Sequence, residues 1–213
     1  MSKVRVQISI SLDGYGAGPN ESKDDPLGEG GEGLHDWVTS LKAWREQHGM
    51  KGGDVNASTP IVEESLQNIG VEIMGRGKFG PPEGGPWGDD PWTGWWGEDP
   101  PFHTPVFVLT HYEREPLTLS DTTFHFVTDG VESALAQAKD AAGDQDVLLG
   151  GGADSINQYL AAGLVDEVEL HVASVLLGDG KRLLAGVGPD LKLEQLRAVE
   201  APGVTHLKYR VVR

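Results

Sequence analysis

The sequence predicts an α/β protein: a mostly parallel sheet of about eight strands, helices on both faces, and an antiparallel hairpin at the C-terminal edge. Three observations carry this. The runs "TPVFVLT" and "QDVLLG" are continuously apolar, as strands covered on both faces are. Helical periods stand between strand-like runs, the alternation that builds parallel sheets. The segment "LKLEQLRAVEAPGVTHLKYRVV" alternates on both sides of "APG", which reads as a hairpin.

Taken in order, residues 3–12, "KVRVQISISL", alternate with period two and are rich in β-branched residues, so they form the opening strand. "DGYGAGPNESKDDPLGEGGEG" is loop chemistry, long enough to act as a lid. Leu34, Val38, Leu41 and Trp44 or Arg45 recur at helical spacing and predict a helix over 34–48 closed by Gly49. A second helix, "STPIVEESLQNIG", starts at Ser58 or Thr59 as N-cap, has Pro60 at its first position and ends at Gly70. Val71 to Met74 form a short buried strand. "GPPEGGPWGDDPWTGWWGEDPPFH" holds four of the six tryptophans among Pro, Gly and acidic residues and reads as neither helix nor strand. "TPVFVLT" and "TTFHFVT" are strands. "DGVESALAQAKDAAG" is a helix capped by Asp129 and stopped by Gly143. "QDVLLG", the helix "ADSINQYLAAG", the strand "VDEVELHVASVLL" and the hairpin complete the chain. No internal repeat or linker divides it, so residues 1–213 read as one domain.

Composition narrows the function. Lys and Arg total 17 against 33 Asp and Glu, a net charge of -16 that repels a phosphate backbone and sets nucleic acid aside as a partner. With no cysteine, disulfides, thiolate zinc sites and cysteine nucleophiles are excluded. The opening residues do not form a signal peptide, and no apolar run reaches membrane length, so a cytoplasmic protein with no membrane association is expected.

Three strand ends carry candidate chemistry. "LLGGGADS" runs a strand through Gly150, Gly151 and Gly152 into a helix, placing free backbone amides where no side chain intervenes. That geometry suits a phosphate; a tight turn that tolerates glycines is the plainer alternative. Gly150, Gly152 and Ser155 nearly match G-x-G-x-x-G, with serine in place of the third glycine. Arg76 and Lys78 follow the "VEIMG" strand, and an arginine fork at such an edge suits a phosphate monoester. A solvated surface pair is its plain alternative. Thr110 and His111 follow "FVL" on the same edge. His125, His171 and His206 lie in strands without metal-ligand spacing, and the acidic pairs at 24–25 and 89–90 read as solvated loop charge, so no metal is expected.

"ISLDGYGAGP", "MGRGKF", "PVFVLTH" and above all "LLGGGADSINQYLAAGLVDEVELHVASVLLGDGKRLL" together resemble the dihydrofolate-reductase-like family, in its bacterial branch related to the reductase domain of bifunctional riboflavin-biosynthesis enzymes. The resemblance implies a reductase that uses NADPH on a small-molecule substrate, and a homodimer. It assigns the cofactor diphosphate to Gly150, Gly151, Gly152 and Ala153, and the adenosine 2′-phosphate region to Gly75, Arg76 and Lys78. Leu109, Thr110 and His111 would lie beside the adenine ribose, and Ala17 and Gly18 would begin a loop closing over the nicotinamide. Departures from the family are a helical insertion near 34–49, a Trp/Pro/Gly-rich insertion near 80–104, and no carboxylate where true dihydrofolate reductases hold the pterin. "ASTPIVEE" stands there, so Thr59 and Glu63 are the nearby catalytic candidates, with Asp36 as a third.

Two readings follow. One is an NADPH-dependent reductase of a pterin- or pyrimidine-like heterocycle that is not a classical dihydrofolate reductase. The other is a non-catalytic nucleotide-binding or assembly module on the same fold. A Rossmann dehydrogenase fits less well, because its glycine fingerprint belongs at the first strand.

Overall fold

The computed structural model describes residues 2–89 and 91–212, so Asp90 of the second acidic pair lies outside the described residues. In chain order, β1 (Val4–Ser11) leads through the first loop and a 3-10 turn (Gly31–Leu34) into α1 (Asp36–Thr39), α2 (Lys42–Gln47) and α3 (Thr59–Ser65). β2 (Ile69–Gly75) and the single turn α4 (Arg76–Phe79) precede the tryptophan-rich loop. Next come β3 (Val106–Leu109), β4 (Leu117–Leu119), β5 (Thr122–Val127) and α5 (Val131–Ala142). β6 (Asp146–Gly151), α6 (Ala153–Ala161), β7 (Glu167–Ala173), β8 (Lys192–Ala201) and β9 (Val204–Val212) finish the chain.

Among the described residues the strands form one nine-stranded sheet in the order β4-β5-β3-β2-β6-β1-β7-β9-β8. The six strands from β5 to β7 are parallel; β4 on β5, β9 on β7 and β8 on β9 are antiparallel. The α/β class, the predominantly parallel sheet and the closing hairpin are as the sequence predicts. The ninth strand is β4, three residues long and too short to show a period.

Period-two alternation gives the sheet two unlike faces. Val4 and Val6 of β1, Val71 and Ile73 of β2, Val147 and Leu149 of β6 and Val168 of β7 are buried against α5 and α6 in the main core. The opposite face carries Gln7, Ser9, Glu72, Glu169, His171 and His206, and α1 to α3 lie over it. Trp37 of α1 bridges the two, with its indole N–H donating to Ser9 Oγ at 3.2 Å and its ring 4.8 Å from His171 and 4.9 Å from His206.

Several element boundaries differ from the expectation, among them the strand read through Leu177, since β7 ends at Ala173. The 34–48 helix is broken into the 3-10 turn, α1 and α2, because the chain near Asp54 returns to pair with Leu41; Lys42 N–H donates to Asp54 O and Asp54 N–H to Ser40 O. The second helix stops at Ser65 with Pro60 at its second residue, and Gly70 belongs to β2. Gly130, rather than Asp129, is the N-cap of α5; no side chain caps it, and Gly143 ends the helix in the left-handed region at φ 60°. Gly49 likewise follows α2 at φ 69°.

Candidate functional site

The carboxyl ends of β6, β2 and β3 lie side by side, since Met74 is in register with Gly151 and Gly75 with Leu109. α6 starts immediately after β6, with Gly152 as its N-cap and no side-chain hydrogen bond capping it. A Cβ placed on Gly152 would meet nothing within 4 Å and one on Gly151 only Lys78 Cδ at 3.8 Å, whereas one on Gly150 would collide with the Glu72 carboxylate, so the run opens on free space at Gly151 and Gly152 but not at Gly150. Asp154 in the first turn of α6 brings negative charge, offset by Lys181 at 3.6 Å. Gly75 lies directly under this helix, where a Cβ would collide with Ser155 Oγ. Ala153 meets the first loop, as a Cβ on Gly16 would lie 3.6 Å from its own. Ala17 O accepts from Lys181 N–H, and Gly18 N–H donates to Leu27 O at 2.8 Å, so the nominated lid folds back on itself.

Arg76 and Lys78 leave the same strand end in different directions. The Arg76 guanidinium lies 3.9 Å from the Trp87 ring centroid, and donates to the carbonyls of Gly80 and Pro81. Burial and the neighbouring Arg114 lower its pKa, and its Nε is buried without a partner. With Lys23, Trp87, Trp92 and three prolines it lines a cavity of about 400 Å³. Lys78 Nζ donates to Glu72 Oε1 at 2.7 Å and to Gly150 O at 2.8 Å, fixing it over the polar face. Thr110 is buried with its Oγ accepting from Tyr112 N–H at 3.2 Å, while His111 is exposed.

The three catalytic candidates are not brought together. Asp36 and Glu63 are exposed, and Thr59 Oγ accepts from Asn56 N–H at 3.2 Å. Ser58 instead points inward to a buried chain. Gln7 Nε2 meets His171 Nε2 at 3.1 Å, His171 Nδ1 meets His206 Nδ1 at 2.8 Å, and His206 Nε2 meets Ser58 Oγ at 2.9 Å. Burial lowers both histidine pKa values, to about 3 for His171 and about 4 for His206.

Two features lie beyond the sequence reading, the place of His35 and an exposed acidic–histidine cluster. His35, at the end of the 3-10 turn, has a buried Nδ1 without a partner, and burial followed by the charge of Lys78 lowers its pKa. The aromatic walls of the Arg76 cavity, Trp87 and Trp92, belong to the tryptophan-rich loop, whose composition suits a pocket wall, a cover for an apolar face or a self-association surface alike. Asp99, His103 and Asp121 bring ligand atoms within 4.8 Å of one another on the exposed surface. Asp99 and His103 share the loop before β3, and Asp121 comes from the turn between β4 and β5, so the third member is brought in only by the fold.

A mostly parallel sheet in which β6 ends in glycines at a helix start, beside a strand-end arginine, defines an α/β protein with its open backbone at the carboxyl ends of the strands. The chain matches the RibD C-terminal domain over residues 2–207 and belongs to that family. Its fold is the dihydrofolate-reductase-like one. It is 28% identical over 118 residues to the uncharacterized protein YyaP of Bacillus subtilis, a match covering 53% of this chain and 62% of that protein, less than two thirds of the latter's length. Among solved structures it is similar to a candidate riboflavin biosynthesis protein of Shewanella sp. PV-4, with TM-score 0.66, 22% identity and 99% of each chain covered. It is also similar to the diaminohydroxyphosphoribosylaminopyrimidine deaminase/5-amino-6-(5-phosphoribosylamino)uracil reductase of Thermotoga maritima, with TM-score 0.56 and 13% identity over 99% of this chain and 57% of that one. Among the described residues no helix is long and apolar enough to cross a membrane.

Proposed function

We propose that the protein is an NADPH-dependent reductase of a small pterin- or pyrimidine-like heterocycle. The observation that carries this is the open backbone of Gly151 and Gly152 at the start of α6, a surface that an anion can approach without meeting a side chain. The uracil reductase named among the similar folds supports the substrate class. Gly150 to Gly152 and Ala153 would hold the cofactor diphosphate, Gly75, Arg76 and Lys78 the 2′-phosphate region, Leu109 to His111 the adenine ribose, and Ala17 and Gly18 the nicotinamide side. The residues fit unequally: Arg76 faces a cavity, whereas Lys78 is already held by Glu72 and Gly150. When bound, the dinucleotide supplies the hydride; the chain binds, orients and excludes water. On this reading residues 1–213 work as one domain with insertions near 34–49 and 80–104, in a cytoplasmic homodimer.

Fluorescence titration of NADPH and NADH tests the proposal. The wild type should prefer NADPH. Arg76→Ala should lose about ten- to a hundredfold of that preference, the scale of a charge-assisted contact. Gly152→Ala, at a position with open space and φ -66°, should keep the fold and weaken both nucleotides. Failure of the wild type to bind either nucleotide would end the reading.

A further inference from the structure

The first loop and the tryptophan-rich loop meet at the Arg76 cavity. Residues 19–28 form a closed loop whose neck is tied by two backbone bonds: Gly18 N–H donates to Leu27 O at 2.8 Å and Glu29 N–H to Pro19 O at 2.9 Å. Within it Ser22 N–H donates to Asp25 O at 2.9 Å and Asp25 N–H to Ser22 Oγ at 3.0 Å, so Lys23 sits inside a defined turn. The Lys23 ammonium lies 5.9 Å from the Trp92 ring centroid, and Lys23 lines the same cavity as Arg76.

The aromatic wall is fixed in place. Trp87 and Trp92 each donate the indole N–H to a backbone carbonyl, that of Tyr112 at 3.0 Å and that of Phe79 at 2.9 Å. Arg114 donates to Trp92 O at 2.6 Å and lies 4.8 Å from the Trp87 ring centroid, with the Arg76 guanidinium 3.9 Å from the same ring. Arg76 uses Nη1 on the carbonyls of Gly80 and Pro81; among the described residues neither its Nη2 nor the Lys23 ammonium makes a hydrogen bond or ion pair. Lys78, by contrast, is held by Glu72 and Gly150 and does not line the cavity. Two available cations thus share one pocket of about 400 Å³, within the range of small-ligand sites, in a chain whose net charge is -16.

We propose that Lys23 and Arg76 together hold the phosphate monoester of a nucleoside in this cavity, with the tryptophan-rich insertion as its wall. The proposal rests on the NADPH reading, since the adenosine 2′-phosphate of that cofactor carries this chemistry; a free mononucleotide carries it too. A phosphate monoester brings a charge of about -1.5 to -2, which two cations match and one does not. Arg76 offers planar donors and Lys23 a point charge, while indole and proline walls of low dielectric focus the field of both. Lys23 therefore separates a phosphate from a hydroxyl, the part that Lys78 leaves open, and the first loop takes part in binding through its Lys23 turn.

The test titrates full-length protein with 2′-AMP, adenosine, NADPH and NADH by calorimetry. The wild type should bind 2′-AMP more tightly than adenosine, and NADPH more tightly than NADH. Lys23→Ala should weaken 2′-AMP and NADPH by about five- to thirtyfold, the loss of a charge-assisted contact, and leave adenosine and NADH within about twofold. Lys23→Arg, which keeps the cation, should recover most of that loss. Lys23 is exposed, so neither variant threatens the fold. A merely structural Lys23 would weaken all four ligands alike, and that result would overturn the proposal, as would 2′-AMP binding no better than adenosine to the wild type. NADPH affinity that falls in Arg76→Ala but not in Lys23→Ala would end the proposal and leave the reductase reading standing. Lys23-dependent binding of 2′-AMP by a protein that binds no NADPH would sink the cofactor reading and assign the site to a free nucleotide.

Discussion

At Gly75 the strand end passes so close under α6 that the site depends on a missing methyl group. Its φ of -82° suits any residue, so the need for glycine is steric. A Cβ would collide with Ser155 Oγ, while Ser155 Cβ would lie at 3.4 Å, near ordinary contact. Gly75→Ala should therefore cost about 1–3 kcal/mol through overpacking. In a Ser155→Ala background the same change should cost less than about 1 kcal/mol, a coupling that urea unfolding of the four proteins measures. Equal costs in the two backgrounds would show that the helix yields freely. Gly151 has a different need: its φ of 111° lies where side chains are strained, so substitution there tests the fold before it tests a ligand. Gly152 lacks both constraints, which is why it reports on binding.

Among the elements, the short helices over the polar face are held by a few specific contacts. Trp37 packs on both buried histidines and donates to Ser9, while Ser58 at the start of α3 reaches His206. Trp37→Ala should cost about 3–5 kcal/mol. Amide exchange should quicken across 31–47 before it does in β1 or β6, whose ladders lie in the sheet centre; uniform quickening would show that the segment does not open separately. These elements were also the hardest to read from the chain. β1, β3, β5, β6 and β9 were legible because burial of one or both faces writes a period or an apolar run into them, and the largely exposed β8 was legible from its alternation up to the "APG" turn that joins it to β9. The 34–48 stretch kept its helical period, with Leu34 and Leu41 fully buried, yet its break at Ser40 is imposed by pairing with Asp54, which no local pattern carries. Within the site, the glycine run and Arg76 were legible from their place after strands. The chain His171–His206–Ser58 was not, because its hydrogen-bonded members stand 35 and 148 residues apart and are joined only by the fold.

For the molecule as a whole, the polar layer between sheet and helices ties stability to pH. His171 and His206 keep their native pKa values near 3 and 4, and His35 is also lowered, whereas unfolded histidines titrate near 6.5. Below about pH 6.5 the unfolded chain thus takes up protons that the native buried rings refuse, and stability falls as pH falls toward the native values. His103 acts in the opposite sense, since Asp121 raises its pKa and its protonation favours the native state; on an exposed surface, solvent screens that effect. Asp13 and Glu64, lowered to about 2 by hydrogen bonds from Ser11 and Arg197 respectively, deepen the loss only once carboxylates titrate near pH 4. The window from pH 6.5 to 5 therefore isolates the histidines. Urea midpoints measured across it should decline steadily for the wild type. In a His171→Gln/His206→Gln double variant, which removes both buried titrations, the slope should flatten even if the starting stability is lower. The same slope in both proteins would mean that water reaches the two rings and lets them protonate within the folded chain.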